Sequence, residues 1–324
     1  MTTDLRTLVV GLGEIGTRHL RNLLDLGYTN TAVLRRTDSA AKHTKAEFGV
    51  PGFSTRTEAE DWTPDIVLIS NPTSKHTETA RWAVECGASI FVEKPIGHNS
   101  DAVRDLLTLA ADRRKSVGVA CNLRFHPALE AIRQAIQDGR IGKLLSVRTE
   151  VGHYLPDWHP DSDYRKEYAA RSDLGGGALL TLIHELDYAY WIAGEVTETT
   201  GLQAHVSNLE LDVDDVTEVI CRHEAGAVSS VHVDFLDRAY NRRARFVGED
   251  ATIAWEWSRP VRLLAPDRSD SILWSDESFD FNDTYKREWV DFAEAVVENR
   301  PPRTPGHEGL RVLEIAESIR REQL

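Results

Sequence analysis

The chain is predicted to be an α/β protein: an N-terminal doubly wound parallel sheet of Rossmann type, then an α+β domain on a mostly antiparallel open sheet. Three observations carry this. Short apolar runs alternate with amphipathic helical stretches over residues 1–122. A glycine pattern, Gly11-Leu12-Gly13-Glu14-Ile15-Gly16, stands between the first strand and the first helix. Beyond residue 122 the alternation gives way to period-two runs. Strands spaced by helices demand crossovers, hence parallel pairing, whereas period-two runs joined by short turns build antiparallel sheet.

The elements follow in order. Leu8-Val9-Val10 is a buried strand, and Ile15, Leu20, Leu23 and Leu24 keep helical spacing until Gly27. Thr31 to Leu34 is the second strand, and a helix leads from there towards Val50-Pro51. Asp65 to Ser70 is a third strand, broken by Asn71-Pro72. A helix over Ala80–Cys86 stops at Gly87, and Ala88 to Val92 runs as a strand into Glu93-Lys94-Pro95. Asp101 to Arg113 is helical and Val117 to Cys121 is strand. The second domain, residues 123–324, begins with a helix over Leu129–Ile136 and a strand over Leu144–Val151. Gly175-Gly176-Gly177 opens a helix running to about Ala193-Gly194. Val216 to Cys221 and Val228 to Phe235 form a hairpin through Glu224-Ala225-Gly226. Helices over Arg287–Glu298 and Glu308–Arg321 close the chain, free to pack back on the first domain.

Composition narrows the function. With 324 residues, 41% hydrophobic and 28% charged, the chain holds two ordinary globular cores. A net charge of -14 opposes a nucleic-acid surface. Cys86, Cys121 and Cys221 form no CxxC pair, and no apolar stretch approaches membrane length. The chain enters a strand almost at once, leaving no room for a leader, so a cytoplasmic protein is expected. Histidines show no ligand spacing with cysteines or acids, so no metal is expected.

The glycine pattern follows a strand and opens a helix, the context a dinucleotide requires. Gly11 allows the turn, Gly13 admits the pyrophosphate, Gly16 lets helix and strand close, and N–H groups at Glu14 and Ile15 face the phosphates. The second strand runs out into Arg35-Arg36-Thr37, where an acid would favour NAD. Two guanidiniums and a hydroxyl suit a 2′-phosphate, so NADP is expected over NAD; a shift of one register step would present Asp38 instead. A solvated arginine edge is the plainer alternative.

Lys94 closes a buried strand at the carboxyl end of the same sheet. An ammonium beside a carbinol oxygen stabilises an alkoxide as hydride leaves. On the helix after the three glycines, Thr181, His184 and Asp187 recur at i, i+3 and i+6 and share a face. An imidazole there is a natural proton acceptor at neutral pH. The stretch His153 to Arg171 mixes Trp158, Arg165 and Tyr168, residues suited to stacking on a sugar or clamping an anion. Arg124 and His126 follow a strand end and are candidates to face the crevice.

Together these features resemble the Gfo/Idh/MocA family. The resemblance rests on the GLGEIG stretch, Asn71-Pro72-Thr73-Ser74-Lys75-His76, Glu93-Lys94-Pro95, Asn122-Leu123-Arg124-Phe125-His126-Pro127, the glycine/His184 helix and Glu308-Gly309-Leu310-Arg311-Val312-Leu313. It implies an NAD(P)-dependent sugar or polyol oxidoreductase with Lys94 and His184 as the catalytic pair. It also implies Asn71, Pro72, His76 and Glu93 beside the dinucleotide, and a homodimer or homotetramer formed through the C-terminal sheet. Many members carry an aspartate four or three residues before the histidine, where this chain has Leu180 and Thr181. Either Thr181 hydrogen-bonds the substrate or Asp187 orients His184. A regulator that binds the dinucleotide without turnover and a redox-assisted glycosidase are the alternative readings.

Overall fold

A computed structural model describes residues 2–267 and 269–321. The chain divides into two units, one of residues up to 122 with 282–313, the other of residues 123–281 with the chain from 314 onward.

The first unit contains β1 (Thr7–Val10), α1 (Glu14–Asp25), β2 (Thr31–Leu34), α2 (Asp38–Phe48), β3 (Gly52–Phe53), α3 (Arg56–Asp61), β4 (Ile66–Ile69), α4 (His76–Glu85), β5 (Ser89–Glu93), α5 (Ser100–Asp112) and β6 (Val117–Ala120). Its strands pair in parallel in the order β3-β2-β1-β4-β5-β6. Every residue of β1, β4 and β5 is buried, because helices cover both faces of the sheet. This is why the strands read as unbroken apolar runs and not as alternation. The strand order reverses between β1 and β4, so the carboxyl ends of these strands flank the crevice in which such sheets bind ligands. The sequence gives little warning of β3 and α3. The former has two residues, and the latter is one and a half turns held by a capping box between Thr55 and Glu58.

The second unit contains α6 (Pro127–Gln137), β7 (Leu144–Gly152), short 3-10 turns between residues 155 and 174, α7 (Ala178–Thr181), α8 (His184–Ala193), β8 (Val196–Ala204), β9 (Val216–His223), β10 (Val228–Asp234), β11 (Asn241–Gly248), β12 (Thr252–Glu256), β13 (Val261–Leu264) and β14 (Asp270–Trp274). The sheet order is β14-β13-β12-β11-β7-β10-β9-β8, antiparallel except where β7 meets β10. Helices α7 and α8 lie over β7, β9 and β10 and bury Val219, Cys221, Val231 and Val233. The alternate residues Leu202, Ile220 and Val228 are exposed on the other face.

One expectation needs correction. The helix predicted from the glycines to residue 194 is two helices, because Leu182 leaves the helical region at φ -102°, ψ 27°. Thr181 ends α7 and His184 begins α8, so the two do not share the face of one continuous helix.

The last helices are α9 (Asn282–Glu298) and α10 (Gly306–Arg321). Residues 282–313 return to the first unit. There Trp289, Phe292 and Ala293 of α9 join Val9, Val33, Leu68 and Phe91 in one buried cluster. Among the described residues, no helix is long and apolar enough to cross a membrane.

Candidate active site

The three glycines between β1 and α1 are required for different reasons. Gly11 has φ +97°, and a Cβ there would stand 2.6 Å from Asn71 N, so β1 and β4 could not approach. A Cβ on Gly16 would collide with the Gly11 carbonyl. Gly13 is unlike both: its φ is an ordinary -75°, and a Cβ would meet no protein atom within 4 Å. Neither backbone conformation nor packing calls for glycine there, which leaves room for a ligand against the main chain. The N–H groups of Glu14, Ile15 and Gly16 belong to the first turn of α1 and are not used by helix geometry. They and the helix dipole suit a pyrophosphate seated on Gly13. The residues present therefore fit a dinucleotide.

At the end of β2, the Arg35 N–H bonds the Phe53 carbonyl at 2.8 Å, and the chain then turns into α2. Arg36 and Thr37 are exposed, and Arg35 is half-buried. The Thr37 hydroxyl accepts the Ala40 N–H at 3.2 Å as the α2 N-cap. Asp38 opens that helix, and the register of β2 with β1 ends at Leu34. The first side chains past the strand are thus the two arginines.

The ends of β4 and β5 are tied together. Asn71 Nδ2 donates to Thr79 Oγ1 at 2.9 Å. His76, buried at the start of α4, places Nδ1 2.9 Å from the Pro95 carbonyl and Nε2 2.8 Å from the Asn71 carbonyl. Burial pushes its imidazole pKa down, although both carbonyls pull the other way. Pro72 leads the 3-10 turn over residues 73–75. Lys94 follows β5 directly and is half-buried, and the Lys94-Pro95 bond is cis. Glu93 is buried, with Oε1 2.7 Å from His19 Nε2 and Oε2 accepting the Lys94 N–H at 3.1 Å. Both carboxylate oxygens therefore have partners inside the protein. His19 was not singled out from the sequence; its signal was its place one turn beyond Gly16, facing the sheet.

In the second unit His184 is half-buried at the first position of α8. Gly176 and Gly177 are required by packing. A Cβ on Gly176 would strike the Tyr168 carbonyl, and Gly177, at φ +106°, faces the Asp214 carboxylate. Asp214 caps α7, accepting the Leu179 N–H at 3.0 Å and the Thr217 hydroxyl at 2.9 Å. Nothing in the sequence marks Asp214 as a cap, since Leu179, whose N–H it accepts, lies 35 residues away.

Several expected substrate contacts are otherwise engaged. Arg124 is buried, bonded to Asp187 through Nε and Nη2 at 2.9 and 2.7 Å, with its guanidinium over the Trp191 ring. Asp187 accordingly braces Arg124 and not His184. His126 caps α6 by accepting the Ala128 N–H, and its ring lies 4.9 Å from Phe279 and 5.5–5.7 Å from Trp255, Trp257 and Trp274. Both side chains have partners inside the unit, and Arg124 is 1% and His126 6% exposed. Arg165 pairs with Asp163 and Glu210 beside a shallow cleft of about 420 Å³. Trp158 donates to the His153 carbonyl at 3.2 Å and packs edge-on against Phe235. Tyr168 is exposed, and Thr181 is buried at the end of α7. Among the described residues, no cluster of three His, Cys, Asp or Glu is placed to hold a metal.

A doubly wound sheet with an open glycine at its switch point and a lysine closing β5 defines a dinucleotide-binding oxidoreductase. Residues 5–121 match the oxidoreductase family with NAD-binding Rossmann fold, and residues 129–254 match the GFO/IDH/MocA C-terminal domain. The chain belongs to the Gfo/Idh/MocA family. It is similar to inositol 2-dehydrogenase of Rhizobium meliloti (strain 1021), 26% identical, covering 96% of this chain and 94% of that protein. It is also similar to scyllo-inositol 2-dehydrogenase (NAD(+)) of Bacillus subtilis (strain 168), 27% identical over 93% and 89% of the two chains. Among solved structures, levoglucosan dehydrogenase in complex with NADH superposes with a TM-score of 0.87, at 21% identity, covering 98% and 96%.

Proposed function

We propose that this protein is an NADP(H)-preferring oxidoreductase that moves hydride between nicotinamide C4 and a carbinol carbon of a sugar or polyol. The observation that carries the reading is the pairing, within one sheet, of an open Gly13 turn after β1 with Lys94 after β5. Both belong to the carboxyl ends that frame the crevice, with β4 between them. The bound dinucleotide would supply the hydride acceptor. In this reading the Lys94 ammonium holds the carbinol oxygen and steadies its charge as the C–H bond breaks. His184 takes the hydroxyl proton and returns it in the reductive direction. Thr181 stands near His184 where many family members carry an aspartate, and is assigned to hydrogen-bond the substrate. Trp158 and Tyr168 are assigned to the sugar face. Arg165 joins them only by giving up its acid partners.

The preference for NADP is supported by Arg35 and Arg36 as the first side chains past β2, although scyllo-inositol 2-dehydrogenase carries NAD(+) in its name and the levoglucosan dehydrogenase structure holds NADH. Self-association is assigned to the open face of the second sheet, where Leu202 is exposed on β8, and Ile220 and Val228 are exposed on strands that bury their alternate residues. Light scattering at micromolar concentration tests this.

The deciding experiment is a cofactor-reduction assay over a panel of sugars, inositols and nucleotide sugars. Turnover is expected with NADP more than with NAD, and Lys94→Met should abolish it while NADPH binding persists. Substantial activity in that variant removes the role of Lys94. Equal Michaelis constants for the two cofactors, unchanged by Arg35→Ala or Arg36→Ala, remove the NADP preference.

A further inference from the structure

The Glu93 carboxylate is held from two sides. Oε1 meets His19 Nε2 at 2.7 Å, and Oε2 receives the main-chain N–H of Lys94 at 3.1 Å. His19 is 1% exposed and Glu93 7%. The His19 ring is edge-on to both Phe91 and Tyr285, which fixes its pose. On the far side of Lys94, His76 reaches the Pro95 carbonyl. The segment that carries the lysine is thereby pinned on both flanks by buried imidazoles of α1 and α4.

We propose that Glu93, braced by His19, is a positioning residue for Lys94: its carboxylate fixes the Lys94 main chain and sets a negative charge beside the lysine. The proposal deepens the function proposed for Lys94 and rests on it. Four titratable groups face Glu93: His19 from α1, His76 from α4, Lys94 next in the chain, and Glu288 from α9. Burial opposes ionisation of Glu93. The His19 hydrogen bond and the charges on His19 and Lys94 prevail, holding the carboxyl below the usual carboxylate range. Glu288 adds no second anion, because burial and then the Glu93 charge push its pKa well up. His76 acts on Glu93 less than His19 and Lys94 do, and burial lowers its own pKa. Glu93 is therefore the anion of this group, and Lys94 lies in its field beside His19.

Glu93→Gln keeps an acceptor for the Lys94 N–H and the shape of the side chain while removing the charge. His19→Gln preserves a donor near the position of Nε2, and His19→Leu abolishes it. The pH dependence of Lys94 modification by an amine-reactive reagent, read by peptide mass spectrometry, reports the amine pKa without any turnover. The midpoint is expected to fall by about one pH unit or more in Glu93→Gln. It should fall by less in His19→Leu and stay near wild type in His19→Gln. The kcat of Glu93→Gln should drop about tenfold or more, with its basic limb moved to lower pH and the cofactor KM within about twofold. An unchanged labelling midpoint in Glu93→Gln overturns the proposal, as does a midpoint in His19→Leu no different from that in His19→Gln. If no sugar is turned over even by the wild type, a shifted midpoint still supports the positioning role and only the function proposed above fails.

Discussion

Arg124 and Asp187 meet in two parallel hydrogen bonds, at 2.9 and 2.7 Å, with both side chains 2% exposed. The pair ties the short turn at the start of the second unit to α8, the helix that His184 begins. Removing one partner strands a buried charge. Asp187→Leu or Arg124→Met should therefore destabilise by about 3–5 kcal/mol. The double variant Arg124→Met/Asp187→Leu should recover much of that loss, because it leaves no uncompensated ion. Urea unfolding of the four proteins closes the cycle; additive single costs would show that the two groups do not act as a pair.

Gly13 and Gly16 separate ligand space from packing space. Gly13→Ala adds a methyl at an ordinary φ with no protein atom within 4 Å, so thermal stability should change little. Dinucleotide affinity should fall about tenfold or more, since the methyl occupies the approach of the pyrophosphate. Gly16→Ala should instead lower the melting temperature, because its Cβ collides with the Gly11 carbonyl. Calorimetric titration and thermal melts of both variants test this. Undiminished cofactor binding by Gly13→Ala would refute the placement of the phosphates.

The parallel sheet was legible because β1, β4 and β5 are buried on both faces and their runs are therefore wholly apolar. The glycine turn was legible because its spacing between a strand and a helix is itself the signal, with Gly11 and Gly16 required by the fold and Gly13 by neither backbone nor packing. The break at Leu182 was hidden, since residues 178–193 keep an apolar, helix-compatible composition through it. The surroundings of Arg124 and His126 were hidden for a related reason. Polar residues after a strand end suggest a ligand, and only the fold shows Asp187 and a ring of aromatics already waiting for them. Asp214 escaped notice because a cap supplied from 35 residues away leaves no local mark.

His232 bridges two acids on the open face of the second sheet. Its Nδ1 is 2.6 Å from Glu218, directly across on β9, and its Nε2 is 2.8 Å from Asp234. The Asp234 bond, and then Glu218, outweigh partial burial and raise its pKa to about 9. A group with a raised folded pKa contributes stability in full below its ordinary value of 6.5, and loses it as pH rises through about 9. His232→Gln should be less stable than wild type at pH 6, by under about 1 kcal/mol because the side chain is partly solvated. That difference should be gone by pH about 10. A deficit independent of pH would mean that the ring contributes packing alone.

Glu288 is 1% exposed in α9, and neither carboxylate oxygen has a hydrogen-bond partner among the described residues. Burial, and next the negative charge on Glu93, push its pKa well above 4.5. The folded protein therefore keeps this proton to a higher pH than the unfolded chain does. Linkage then makes stability greatest below 4.5 and lets it decline as pH climbs towards the folded pKa, by up to about 1.4 kcal/mol per pH unit. Glu288→Gln has no proton to lose and nearly the same shape. It should melt several degrees above wild type at pH 8, with the advantage shrinking to nothing as pH falls towards 4.5. Glu288→Ala opens a cavity in place of this buried side chain and should melt below Glu288→Gln at every pH. A glutamine variant that melts below wild type at pH 8 would mean that Glu288 is ionised in the folded state and held by a cation, reversing the charge balance around Glu93 on which the role of Lys94 depends.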